Sequence, residues 1–125
     1  MINTKAKYYT LLTGNAALTT LIGGATHIAN THPEVITIFP FVAFTDDDQE
    51  DSLYADNAPH SSNVRMKIDI YTKINAGQPT TWDIGQLVYN IFKAQYFHCG
   101  TNGEVPDPTE GVKHRVMRFS REVIS

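Results

Sequence analysis

Apolar and polar residues alternate most regularly between Val64 and Thr72. Val64, Met66, Ile68 and Ile70 fall on one side of a period-two pattern, and Arg65, Lys67, Asp69 and Tyr71 on the other. Successive side chains of a strand point to opposite faces, so this stretch predicts a strand with one buried face and one wet or partner-facing face. Asn75, Gly77 and Pro79 break the alternation. From Trp82 the apolar spacing lengthens to about 3.6 residues, carried by Ile84, Leu87, Val88, Ile91, Phe92 and Tyr96. Strand, turn and amphipathic helix in succession imply a sheet with a helix laid on its apolar face.

The same reading extends to the rest of the chain. Thr4 to Ile22 has a helical stripe of Tyr8, Leu11, Leu12, Leu18, Leu21 and Ile22, closed by Gly23-Gly24. One helix, or two pieces split at Gly14-Asn15, fits that stretch equally. His27 and Ile28 can open a short strand, whereas Asn30, His32 and Pro33 have turn character. Val35 to Phe44 is rich in β-branched and aromatic residues; Pro40 cannot donate to a ladder, which restricts the expected strand to Phe41–Phe44, at an edge or just after a strand start. Asp46 to Asn63 reads as an exposed, flexible loop, with Leu53 and Tyr54 as a small docking point inside it. Cys99 to Gly111 has loop composition, and Val112 to Phe119 reads as the last strand. The faces of that strand are mixed, since Val112, His114 and Val116 share one side and Met117 and Phe119 the other. A β-bulge near Val116, or burial of both faces at an interface, would reconcile them. The order helix, strand, strand, helix, strand predicts a single α+β domain over residues 1–125, with helices packed on one face of a mostly antiparallel sheet.

Composition adds little to this picture, and charge adds more. With 125 residues, 42% hydrophobic and 18% charged, the chain has the make-up of an ordinary globular domain. It contains no apolar run near the roughly 20 residues of a membrane span, and its first residues show no signal-peptide pattern. The net charge of −3 is unevenly distributed. Asp46, Asp47, Asp48, Glu50, Asp51 and Asp56 hold six of the 13 acids, which leaves 10 basic and 7 acidic residues elsewhere, a balance of +3. Lys113, Arg115, Arg118 and Arg121 concentrate positive charge near the C-terminus. Such polarisation orients partners.

Candidate chemistry is sparse. His27, His32, His60, His98, His114 and the single Cys99 show no zinc-site spacing. Asp46, Asp48 and Glu50 alternate like hard oxygen ligands, yet the glycine and closing Glu of a calcium loop are missing. Cys99 with His98 or His114 is the only imaginable thiolate pair, and no serine nucleophile motif or phosphate-binding loop occurs. The expectation is a protein that is not an enzyme and uses neither metal nor cofactor. Lys113, Arg115, Phe119 and Arg121 share a strand face if the period holds, a mixture of cation and aromatic that suits single-stranded nucleic acid.

The succession of LLTGNAALTTLIGG, THIAN, FPFVAF, VRMKIDIYTK, the W-x-I-G-x-L-V-x-x-I-F helix and KHRVMRFS resembles the small tail-completion proteins of long-tailed bacteriophages and prophages, the tail terminators or tail-to-head joining proteins. The resemblance spans nearly the whole chain and includes no catalytic motif. It implies a virion structural protein, a homo-oligomer closed as a ring of six. That ring caps the tail tube protein at the head-proximal end and meets the head-completion or connector protein after assembly in the host cytoplasm. By position it assigns subunit contacts to Arg65, Lys67 and Asp69 and to Lys113, Arg115 and Arg118. Asp46, Asp47, Asp48, Glu50, Asp51, Leu53 and Tyr54 become the complementary surface or the wall of a lumen through which DNA passes without specific binding. The acidic start of that loop has no counterpart in the family pattern. The alternative is a monomeric peptide- or nucleic-acid-binding module that uses the edge near Pro40 or the basic C-terminal strand.

Overall fold

A computed structural model describes residues 5–30, 39–55, 58–74, 79–106 and 111–124, with the backbone alone for 5–6, 46–55, 58–64 and 122–124. Helix α1 (Lys5–Thr13) is separated from α2 (Ala16–Ile22) at the Gly14-Asn15 break. Asn15 is extended, and its side-chain oxygen accepts the Leu18 N–H at 2.9 Å, so it caps a new helix instead of continuing the first. A Cβ at Gly14 would lie 2.8 Å from the Thr10 carbonyl oxygen, closer than a side chain tolerates. Gly23, at φ 102°, ends α2, and the Gly24 N–H reaches back to the Thr19 carbonyl at 2.8 Å.

A 3-10 turn (Ala25–His27) then leads into β1 (Ile28–Ala29), β2 (Phe41–Ala55), β3 (Ala58–Lys73), α3 (Thr81–Lys93), β4 (His98–Val105) and β5 (Val112–Ile124). The sheet order is β1-β2-β3-β5-β4, with β1 parallel to β2 and every other pair antiparallel. The domain is therefore α+β, a five-stranded, mostly antiparallel sheet with three helices among the described residues.

Two segments read as loops are strands. The backbone of 46–55 pairs with 58–66 as the outer half of a long β2–β3 hairpin, with register shifts near Asp46/Asp48, Asp51/Leu53 and Leu53/Tyr54. Acidic, turn-rich composition is overridden here because β3, itself held by β5, offers a continuous row of backbone partners. Residues 98–105 pair with β5 as an edge strand, although His98-Cys99-Gly100-Thr101-Asn102-Gly103 has almost no strand pattern. Expected turn residues His32 and Pro33 lie outside the described residues. Pro40 directly precedes β2, where its missing N–H disrupts no ladder, and its carbonyl lies 2.6 Å from His27 Nδ1.

The main core lies between the helices and one face of the sheet. Tyr8 and Leu12 of α1, Leu18 and Ile22 of α2, and Ile84, Val88 and Phe92 of α3 cluster with Val42, Phe44, Met66, Ile68, Ile70, Met117 and Phe119. Phe92 is the hub, with ring centroids 5.8 Å from Tyr8, 5.5 Å from Phe97 and 5.2 Å from Phe119. Strand β5 runs against β3 without a register shift, so no bulge at Val116 is needed. Its mixed faces reflect burial on both sides within this chain: Met117 and Phe119 lie in the helix-side core, and Val112 and Val116 are buried on the other face.

Helix α3 is closed at both ends. Thr80 and Asp83 form a capping box, the Asp83 N–H donating to Thr80 Oγ1 at 3.2 Å and the Thr80 N–H to Asp83 Oδ2 at 3.3 Å. At the other end Tyr96 turns left-handed at φ 65°, and the Phe97 N–H returns to the Phe92 carbonyl at 3.0 Å, which brings the Phe97 ring against Phe92. Replacing Phe92 with Ala is expected to lower stability by about 4 kcal/mol in urea unfolding. Tyr96→Gly should raise it by about 1 kcal/mol, since a non-glycine residue is strained in that conformation. The tyrosine side chain, 85% exposed, contributes little packing in return.

Candidate functional site on the open face and edges of the sheet

The face away from the helices holds the positions that alternate with the core set. Arg65, Lys67, Asp69 and Tyr71 of β3 lie in register with Ser120, Arg118, Val116 and His114 of β5. One end of this face is closed by a small apolar cluster of Phe41, Ala43, Tyr71 and Val112, flanked by Ala29 and Phe39. Beside it Asp69 is buried, 1% exposed, between Ala43 and Val116 in neighbouring strands. His114 Nε2 donates to Asp69 Oδ1 at 2.7 Å while its ring stacks on Tyr71 at 4.2 Å, and Lys67 Nζ stands 3.8 Å from the same oxygen. Asp69 Oδ2 is buried without a hydrogen-bond partner among the described residues.

The six expected subunit-contact residues thus do not form one surface. Arg65 is exposed and Lys67 half-buried; both share the open face with the exposed Arg118. Asp69 shares that face but is enclosed. Alternation puts Lys113 and Arg115 on the helix side, because β5 keeps a regular period through this stretch. Arg115 is engaged there. Its Nε donates to Thr81 Oγ1 at 3.3 Å, its Nη1 to Asn102 Oδ1 at 2.8 Å, and its guanidinium lies 5.7 Å from the Trp82 ring centroid. Thr81 Oγ1 donates in turn to Glu104 Oε1 at 2.6 Å. This network ties the start of α3 to β4 and β5, and a Cβ at Gly85 would come within 3.2 Å of Arg115 Cδ. Sequence reasoning missed Thr81, Asn102 and Glu104. Only the Thr80-x-x-Asp83 spacing, a capping signature, marked the region.

Of the acidic candidates, Asp46, Asp47, Asp48, Glu50, Asp51, Leu53 and Tyr54 occupy β2 backbone positions instead of a loop. From Thr45 to Ala55 the outer side of that strand has no strand partner among the described residues, β1 covering only Val42 and Ala43. The other edge strand is β4, whose outer side likewise has no strand partner among the described residues. Next to it, on the open face, lies a shallow groove of about 240 Å³ lined by Arg65, Gly100, Thr101, Arg118, Phe119 and Ser120.

The nucleic-acid face expected of Lys113, Arg115, Phe119 and Arg121 does not form, because Phe119 is in the core and Arg121 lies 5.9 Å over the buried Phe97 ring. Nor does the structure build the thiolate pair. Cys99 packs toward the helix-side core, opposite Phe119, and its thiol donates to the Thr101 carbonyl at 3.4 Å, whereas His114 is on the other face. Burial raises the Cys99 thiol above its ordinary value. Among the described residues no three His, Cys, Asp or Glu side chains gather to hold a metal, and no helix is long and apolar enough to cross a membrane. No family model matches the chain, and a search among curated proteins finds no match.

Two outcomes follow from this geometry. His114→Ala, which strips Asp69 of its closest partner, should cost about 3 kcal/mol in urea unfolding, against less than about 0.5 for Lys113→Ala. Alkylation of Cys99 by iodoacetamide at pH 8 should be slower in the folded chain than in urea. The raised thiol also favours the fold at neutral pH, an advantage that fades as pH rises through the range where the unfolded thiol ionises first.

Proposed function

We propose that this chain is a virion structural protein of the tail-completion type. It assembles as a homo-oligomeric ring of six that caps the tail tube and joins it to the head connector, and it performs no catalytic step. One observation carries the reading: the two open sheet edges run in opposite directions. Strand β2 is antiparallel to β3, β3 to β5 and β5 to β4, so β4 runs antiparallel to β2. Rotation about a ring axis preserves the sense of each strand along that axis. The β4 edge of one copy therefore meets the β2 edge of the next as an antiparallel pair, and the sheet continues around the circle.

Edge strands left open invite such pairing, and closure into a ring limits its growth. The strand order supports a heterologous, head-to-tail contact, which forms a ring when the rotation closes. DNA passes through the lumen without specific binding, and the site of action is the head-proximal end of the tail. The monomeric nucleic-acid module is less well supported, since the proposed stacking aromatic, Phe119, is enclosed in the core.

The test is imaging. Purified chain mixed with tail tubes should give rings, or caps at one end of each tube, in negative stain, and light scattering should report a closed oligomer. A chain that stays monomeric at high concentration, leaves tubes uncapped and binds an oligonucleotide tightly would overturn the assignment.

A further inference from the structure

The cations of the open face are arranged in a way the fold alone does not require. Lys67 and Arg118 stand directly opposite each other on neighbouring strands, a like-charged pair that weakens a sheet, and Arg65 lies one alternate position away. Arg65 and Arg118 line the groove beside β4 together with Gly100, Thr101 and Ser120. The edge strand itself has no lysine or arginine. Its open-face neighbourhood is made small by Gly100 and Gly103, at which an added Cβ would meet nothing within 4 Å. Arg118 stands in register with Thr101 of the edge strand, beside Gly100.

At the opposite edge, β2 holds Asp46, Asp47, Asp48, Glu50 and Asp51 in its primary sequence. We propose that the Gly100–Thr101 groove receives this acidic strand segment from a second copy of the chain, with Arg118 as its principal cation. The proposal rests on the ring reading and names the chemistry of its contact. Charge complementarity selects the occupant: the strand antiparallel to β4 across the proposed junction is the one where the acids of the chain are concentrated. Arg65 and Arg118 have contacts within their own chain, and Arg65 stands opposite Asp48 of its own hairpin. A guanidinium has five donors, so these contacts leave capacity for an incoming carboxylate. Arg118 is the exposed cation of β5 that lines the groove and stands in register with Thr101 of the edge strand. An incoming carboxylate lowers the repulsion between the like-charged pair further, which adds to the affinity and fixes which edges meet.

The experiment uses two complementary full-length variants. Arg118→Glu makes the groove acidic, and the triple substitution Asp47→Lys, Glu50→Lys, Asp51→Lys leaves the segment with three lysines against Asp46 and Asp48, including the position opposite Asn63 on the open-face register. Each variant alone should self-associate at least about tenfold more weakly than the parent chain. Mixed in equal amounts they should assemble again, because each of the two alternating junctions then joins opposite charges, and raising the salt should weaken both the mixed and the parent assembly. Thermal unfolding of each variant shows that it is folded. Parent-like assembly of Arg118→Glu alone, or a mixture of folded variants that stays dissociated, would overturn the groove assignment while leaving the ring intact. A parent chain that never associates would sink the ring reading itself.

Discussion

Strand β3 is hydrogen-bonded on both sides for most of its length, to β2 from Ala58 to Tyr71 and to β5 from Ser61 to Lys73. A strand held in this way cannot slip by one residue without turning its whole apolar set to the other face. Met66, Ile68 and Ile70 must then lie beneath the helices, and Asp69 must lie at the middle of the opposite face. Burial of a carboxylate there is tolerable only with a partner, and His114 supplies it from β5 while resting on Tyr71. The open face is consequently buried and apolar toward one end and cationic toward the other.

Helix α3 is fastened to this sheet by different means at its two ends. Near its C-terminus the Phe92 ring sits among Tyr8, Phe97 and Phe119, a contact set by shape and apolar area. Near its N-terminus Arg115, Thr81, Asn102 and Glu104 make a polar tie that also holds the edge strand β4 in place. Without that tie β4 would keep only the ladder to β5 and the packing of Cys99 against the core among its described contacts. An edge strand rich in glycine has little side-chain packing of its own, so the helix start and the sheet edge stabilise each other. Among the described residues the outer side of β4 has no strand partner, as the proposed junction requires.

Much of the frame was legible along the chain. Alternation placed β3, helical spacing placed α3, and Gly14-Asn15 and Gly23-Gly24 marked where the first helices divide and stop. Less legible were the features whose cause lies elsewhere in the fold. The outer half of the β2–β3 hairpin has an acidic sequence that local propensity reads as a loop, and β4 has no apolar alternation because neither of its faces is fully buried. Charge positions were legible, but their grouping was not. The basic residues of β5 divide between two faces, so Arg115 joins the helix and Arg118 the open face.

The sequence by itself determined which stretches can bury a face, since that depends on spacing along a few consecutive residues. It also determined that acids and bases are separated along the chain. Tertiary structure alone decided which strands are neighbours, which face each arginine shares, and that Asp69 is enclosed. Those outcomes depend on contacts between residues far apart, as with Asp69 and His114, 45 positions distant. Backbone partners and burial are supplied by the whole fold, and no local pattern encodes them.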